Sequence, residues 1–269
     1  MKSIKLLVLA VLTLAVFAVG SDIQVNVNSL NYVTVNNSSV PLPNPTWPVN
    51  YAFSIPCGSP PCDVDLYTVP ANRKVVCPPT AIVSNQAGGG AINVTGELKS
   101  GGVYYQLTNP PAVANGNILV TETISNESNG MIYLAGESVS VNVTAAGLTV
   151  EWPCIEYDSA GKFSRTAVIT PSAGANTVIT ALVNTKLVAF NFYNNSGSTR
   201  TYTMNMIPFG GSATTVNLVV NTATLTTANR LVHVGGAIQG MNMNTGDFLN
   251  FTDDASTATQ AMWVSYITP

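Results

Sequence analysis

The residues that could do chemistry are few. The chain has one histidine, His233, in LVHVGG (231–236), where apolar residues flank it and no Asp or Glu stands beside it. A Ser-His-Asp hydrolase needs a base oriented by an acid, so the local pattern reads His233 as a strand residue. No G-x-S-x-G, P-loop or G-x-G-x-x-G occurs in the sequence. The GGG at 88–90 lacks the Lys and helix that complete a phosphate cradle.

Acid pairs are the next candidates, because two carboxylates can hydrolyse a glycoside. The pairs are Asp63 with Asp65, Glu151 with Glu156, and Asp253 with Asp254. Alternation puts Asp63 and Asp65 on one strand face, but nothing around them marks burial, so they read as solvated turn acids. CDVD (62–65) and TDDAS (252–256) offer too few oxygens for the six to eight that calcium takes. Trp47, Tyr51, Tyr104, Tyr105 and Tyr202 are the pool for a sugar platform. Tyr104 and Tyr105 are adjacent, so a strand points them to opposite faces, and packing is the plainer role for the set. No catalytic residue, metal ligand or cofactor is expected.

The cysteines are Cys57, Cys62, Cys77 and Cys154. Their spacing is not that of a zinc finger, and a single His is available to help. Disulfides are the expectation; four cysteines allow three pairings. Cys57–Cys62 with Cys77–Cys154 is one of them. Export fits this chemistry. Residues 1–20, MKSIKLLVLAVLTLAVFAVG, carry two lysines, an apolar run from Leu6 to Val19, and small residues before Ser21. That is a secretory signal pattern, and its run is shorter than the roughly 20 residues a bilayer span needs. The expected location is therefore secreted, at a cell surface or on a virion surface. Asn-X-Ser/Thr sequons begin at Asn36, Asn37, Asn93, Asn126, Asn142, Asn194 and Asn250, all glycosylation candidates.

These residues must be positioned by strands. Charged residues are 9% of the chain and apolar ones 46%, against roughly 25% charged in an ordinary soluble domain. The rest is rich in Thr, Ser, Asn and Gly, which suits half-buried strands. A net charge of −3 with scattered Lys and Arg excludes a basic patch and, with it, nucleic acid as a partner. Strand-like runs recur every 8 to 12 residues, as at 75–83, 117–124, 138–143, 187–193, 200–206 and 214–220. QAGGG (86–90), NESNG (126–130), NNSGS (194–198) and FGGS (209–212) punctuate them as turns.

Landmarks recur along the chain. Gly136-Glu137 and Gly246-Asp247 are 110 positions apart, Trp152 and Trp263 are 111 apart, and Asn85 and Asn194 are 109 apart. LYTVPANRKVV (66–76) resembles VITPSAGANTVI (168–179), with Pro70 and Pro171 offset by 101. Recurrence in one order implies duplication. Each Gly-acid step predicts a tight turn whose carboxylate binds nearby amides, and each Trp is expected to plug the core of its own module. The fold class is all-β: two tandem β-sandwich modules, jelly-roll or Ig-like, at 51–160 and 161–269. Residues 21–50 precede them as an N-terminal strand arm and Pro-rich tether. The arm's strand pairs either with its own first module or with the sheet edge of a neighbouring subunit, and Ile23, Val25, Val27, Tyr32, Val33 and Val35 are the strand-donor candidates for the second arrangement.

The VP step at 69–70, the N-x-x-G turns at 85–88 and 194–197 and the GE/GD steps resemble those of viral coat, decoration and fibre proteins. The sequon-dense, charge-poor chain with its isolated first strand resembles archaeal surface thread and pilus subunits. These resemblances imply donor-strand assembly and glycosylation; the four cysteines and Pro-rich tether depart from both patterns. The expected function is a non-catalytic structural subunit of an extracellular filament or virion coat, with itself as partner in a homopolymer. The alternative is a secreted β-sandwich that binds cell-surface glycans.

Overall fold

The computed structural model describes residues 23–27, 33–37, 46–54, 61–86, 88–108, 111–116, 120–127, 130–211, 218–225, 231–234, 240–255 and 260–269. The described residues hold strands, turns and bends and no helix. Two compact units divide between Asn44 and Pro45.

In the first unit, β1 (Ile23–Val27) pairs antiparallel with β2 (Val33–Asn37), with Val25 opposite Val35 and Val27 opposite Val33. The single donor strand expected here is therefore a hairpin. The same alternation serves either arrangement, but folding back lets each strand supply the other's backbone partners. Tyr32 lies outside the described residues, as do residues 1–22.

The second unit opens with β3 (Thr46–Ser54), so a strand starts inside the stretch read as a tether. Ten more strands follow: β4 (Cys62–Thr68), β5 (Arg73–Cys77), β6 (Thr80–Asn85), β7 (Ile92–Ser100), β8 (Val103–Gln106), β9 (Ala112–Val113), β10 (Val120–Thr123), β11 (Met131–Tyr133), β12 (Ser138–Val143) and β13 (Leu148–Asp158). They form two sheets. One has the order β10-β6-β13-β5-β11, with β3 on β13; the other is β4-β12-β7-β8, with β9 on β7. Val75, Val83 and Trp152 of the first sheet share a core with Leu66, Val94 and Val141 of the second.

Nine further strands complete the chain: β14 (Phe163–Arg165), β15 (Gly174–Thr180), β16 (Thr185–Asn194), β17 (Arg200–Ile207), β18 (Leu218–Leu225), β19 (Leu231–Val234), β20 (Asn242–Met243), β21 (Phe248–Asp253) and β22 (Gln260–Ile267). Their sheets are β14-β22-β16-β19, with β20 on β16, and β15-β21-β17-β18. Phe190, Phe192 and Met262 of one meet Met204, Leu249 and Phe251 of the other in a second core.

The two pairs of sheets repeat one order. β4-β12-β7-β8 corresponds to β15-β21-β17-β18, and β3, β13, β5/β6 and β11/β10 correspond to β14, β22, β16 and β20/β19. Most connections cross from one sheet of a pair to the other, which is jelly-roll rather than Ig-like connectivity. Pro78-Pro79 explains why β5 and β6 are separate where β16 is continuous, since proline has no N–H for the ladder. At that break Cys77 and Cys154 form a disulfide, with Cα atoms 4.1 Å apart. Cys62 is also disulfide-bonded; Cys57 lies outside the described residues.

The two Gly-acid turns share their backbone bonds and the carboxylate bond to the amide three residues back. Gly136 N donates to Val69 O, Glu137 N to Leu134 O, and Leu134 N to Glu137 Oε2. Gly246 N donates to Ala181 O, Asp247 N to Asn244 O, and Asn244 N to Asp247 Oδ2. Two other landmarks change meaning. Val69 and Ala181 are counterparts, so Pro70 follows β4 whereas Pro171 precedes β15; their odd offset marked a chance match. Trp152 fills its own core, but Trp263 joins the first core from the second pair of sheets. Met262, Val264 and Tyr266 are the residues of β22 that face the second core. A one-residue difference in register turns a side chain to the opposite face.

Gly136 and Gly246 have φ of 83° and 93°. A Cβ on Gly136 meets open space, while one on Gly246 comes within 2.5 Å of the Phe209 ring. Gly136→Ala is expected to cost about 1 kcal/mol from backbone strain alone, and Gly246→Ala measurably more. Urea unfolding of both variants checks the order.

Candidate functional site

Asp63 and Asp65 lie on β4 and project onto one face of the β4-β12-β7-β8 sheet. Asn142 Nδ2 donates to Asp63 at 2.6 Å and Ser140 Oγ to Asp65 at 2.9 Å. Lys99 Nζ stands 2.5 Å from Asp65 and 4.8 Å from the Tyr104 ring centre. These are strand acids rather than turn acids. Ser140 of β12 pairs with Asp65 on one side and Glu97 of β7 on the other, so Glu97 joins the same row. Sequence reasoning passed over Glu97, although NVTGELK places it in step with Asn93, Thr95 and Lys99.

Glu97 is 2% exposed. Burial pushes its carboxyl up to about 9, and the nearby Asp63 and Asp65 charges add to the rise. Burial also works against ionised Asp65, but hydrogen bonds from Lys99, Ser140 and Tyr104 hold its carboxyl below the ordinary value. Acids pushed apart in this way suit acid-base chemistry. A general acid must nonetheless touch its substrate, and the buried Glu97 carboxyl faces neighbours in its own sheet. The cluster orders the sheet.

Glu156 and Asp254 of the other pairs are engaged as well. Glu156 accepts from Tyr67 Oη at 2.5 Å and lies 3.3 Å from Arg73 Nε. Glu151 lies farther back on β13, in register with Ile82. Asp254 accepts from Thr201 N and Oγ1, both at 2.9 Å. Burial pushes its neighbour Asp253 up to about 6. Among the described residues no group of three or more His, Cys, Asp or Glu is placed to hold a metal ion. His233 sits on β19 opposite Asn191.

The aromatic pool is largely spent in packing. Tyr105 meets Tyr193 edge-on at 5.6 Å, and Tyr202 stacks on Phe251 at 5.4 Å; both tyrosines are buried. Tyr104 is half-buried beneath Lys99. Trp47 and Tyr51 lie in β3, whose side chains fall outside the described residues. Of the sequons, Asn194 and Asn250 are buried, so a folded chain cannot present them to a glycosyltransferase. Asn126 is exposed, and Asn93 and Asn142 are half-buried. Asn36 and Asn37 lie in β2, whose side chains are likewise outside the described residues.

The densest polar arrangement was not foreseen. It lies where the first pair of sheets meets the second. Arg165, at the end of β14, is fully buried and donates through Nε to Ile132 O at 2.8 Å and through Nη2 to Glu137 Oε2. Lys74 Nζ donates to Gly161 O at 2.7 Å and also to Phe163 O. Burial pulls its ammonium down. Asn191 Nδ2 donates to Glu127, whose carboxyl burial pushes up to about 7; Asn191, the Trp263 indole and the Arg165 charge pull the other way. Trp263 lies 6.2 Å from Tyr105. The partners come from strands and turns far apart in the sequence, so no short motif announces the seam.

No protein-family model and no curated protein matches the chain. Among solved structures, the chain is similar to the major capsid protein P2 from bacteriophage PM2, at 12% identity and TM-score 0.31 over 82% of this chain and 95% of that one. It is also similar to infectious bursal disease virus Gx strain, at 14% identity and TM-score 0.22 over 89% and 62%. A third similarity is to the CBM22-1-CBM22-2 tandem domain from Paenibacillus barcinonensis Xyn10C, at 8% identity and TM-score 0.14 over 77% and 75%. These are loose likenesses, to be weighed below the chain's own geometry.

Two predictions follow from these buried charges. Arg165→Ala leaves Glu137 buried beside an unpaired Ile132 carbonyl and should lower stability by about 3–5 kcal/mol, read by urea unfolding. Glu97 and Glu127 ionise later in the folded chain than in the unfolded one, where the ordinary value is 4.5. The folded state then binds the extra protons, so the contribution of these two groups is fully present below about pH 4.5 and is lost as pH rises through their folded values. The Glu97 share falls by about 1.4 kcal/mol per pH unit until pH reaches about 9. Glu97→Gln should flatten the decline between pH 7 and 9, as measured by urea midpoints across that range.

Proposed function

We propose that this chain is a non-catalytic structural subunit of an extracellular assembly, a virion coat or surface filament, built from two tandem sandwiches and partnered by copies of itself. The observation that carries the reading is where the reactive side chains go. Glu97, Glu127, Glu137, Lys74, Arg165, Tyr105 and Tyr202 are all buried, holding sheets and seam together. A catalyst or sugar binder would turn some of them toward its ligand.

The surface supports self-association. Its low charge lets Thr, Ser and Asn faces approach without desolvating many ions. Leu182, Val183 and Phe209 are exposed at 85%, 47% and 80%. Leu182 follows Ala181, which bonds Gly246 and Asp247; Phe209 N donates to Asp247 Oδ1. The second Gly-acid turn thus gathers three apolar side chains at one corner, a surface of the kind that marks a contact. The β1-β2 hairpin offers a further route. A two-stranded sheet is marginal alone, and its edges can add to the sheet of another copy.

Negative-stain electron microscopy of the chain from Ser21 onward should show ordered particles or filaments. Loss of these on deleting residues 21–44 supports strand addition through the hairpin, and their survival rejects that joint. A persistent monomer retained on a glycan column would overturn the structural reading in favour of binding.

A further inference from the structure

The repeated strand order gives the acid row of the first sandwich an internal control. β4, β12 and β7 correspond to β15, β21 and β17, so Asp65, Ser140 and Glu97 stand where the second sandwich has Thr177, Asn250 and Asn205. Asp63 stands where it has Ala175. The second sheet forms with no carboxylate at any of these positions. The three acids are therefore an addition that the strand order does not require.

Lys99 faces these acids and is already engaged. Its Nζ lies 2.5 Å from Asp65, which also accepts from Ser140 Oγ at 2.9 Å. Asp63 is exposed and accepts from Asn142 Nδ2 at 2.6 Å. Glu97 is the exception. It is 2% exposed, and among the described residues its Oε2 has no hydrogen-bond partner. The carboxyl groups of Glu97 and Asp63 lie within hydrogen-bonding reach of each other. An ionised carboxylate offers only acceptors, so neither acid satisfies the other when both are charged. Two carboxylates held face to face need a positive charge between them, either a proton or a metal ion.

We propose that Glu97 and Asp63 together bind a hard divalent cation such as calcium, which ties β7 to β4 across β12. Oxygen donors select this class over the softer metals that take imidazole or thiolate. Ser140 and Asn142 of β12 lie between the two acids on the same face and add oxygens, with water to complete the shell on the side of the exposed Asp63. β4 is the edge strand of its sheet, so an ion enters from solvent without opening the core. Asp65 is held by Lys99, which leaves two acid ligands. Such a set belongs with the weaker calcium sites, with Kd on the order of 10⁻⁴–10⁻³ M. The two acids stand 34 positions apart in the chain, so CDVD alone shows only half of the site. Near neutral pH the buried Glu97 carries a proton, and the ion displaces it.

The test is equilibrium dialysis of the chain from Ser21 onward against calcium chloride near neutral pH, with proton release followed in weakly buffered solution. One saturable site is expected, with close to one proton released per ion bound. Asp63→Asn and Glu97→Gln should each weaken binding at least about tenfold, while Asp254→Asn, in the other adjacent acid pair, should leave it unchanged. Asp63 is exposed, and Gln keeps the shape of a protonated Glu97, so both variants should fold, as read by circular dichroism matching the unsubstituted chain. Calcium should also raise the urea midpoint of the unsubstituted chain and of neither variant. Binding that survives both substitutions, or that releases no proton, would put the ion elsewhere and overturn the site. No bound calcium up to about 10 mM would leave the proton as the bridge and sink the proposal, whether or not the chain assembles.

Discussion

A glycine at positive φ followed by a carboxylate is the constraint on which this architecture rests. At each Gly-acid corner the acid accepts the amide three residues back, and the flanking amides and carbonyls tie the strand it launches to the end of a neighbouring strand. No other residue type takes that backbone conformation without strain, and a shorter polar side chain would leave the amide without its acceptor. The corner therefore sets where β12 and β21 begin, and with them the register of both sheets they pair with.

What differs between the corners is the second bond of the carboxylate. Glu137, one methylene longer, reaches outward to Arg165, whereas Asp247 turns its other oxygen to Phe209 N within its own sandwich. The longer acid makes one corner a receptor for the following segment. The second pair of sheets answers with the outer face of β16 and β22, which is why β16 is buried along both faces beyond its second residue. Trp263 belongs to that outer face. Its indole fills the seam while Met262 and Val264 fill the core behind it.

Much of this was legible in the residues. Alternation and Gly/Asn turns predicted strands throughout, and the Gly-acid step predicted both its turn and its hydrogen bond. One of three cysteine pairings included Cys77–Cys154, whose partners prove to face each other where Pro78 interrupts a strand. Other features depend on information that spacing does not carry. Trp152 and Trp263 share a position to within one residue, yet in a strand one residue decides which face is buried. Ile23 to Val35 alternate equally well as one arm or as two strands of a hairpin. Glu97 reads as a surface acid until the rows above and below it are known. The seam draws on β5, β10–β11, β14, β16 and β22, so its logic exists only after the chain has folded.

The seam also explains how so few charges can matter. Buried ion pairs contribute little net stability, because the lost hydration of both groups offsets much of their attraction. A seam of leucines would hold as well and would accept several sliding registers. Two pairs of sheets with the same strand order lie on one chain, and apolar contact alone would fix their register poorly. Arg165 removes most of those alternatives. Its guanidinium needs the Ile132 carbonyl and the Glu137 carboxylate together, in a fixed planar arrangement, and any shift along the strand direction breaks both contacts. Lys74 adds a second condition, since its ammonium is satisfied only when the carbonyls of Gly161 and Phe163 converge on it. In a protein with few charges, those buried at the seam set which surface meets which.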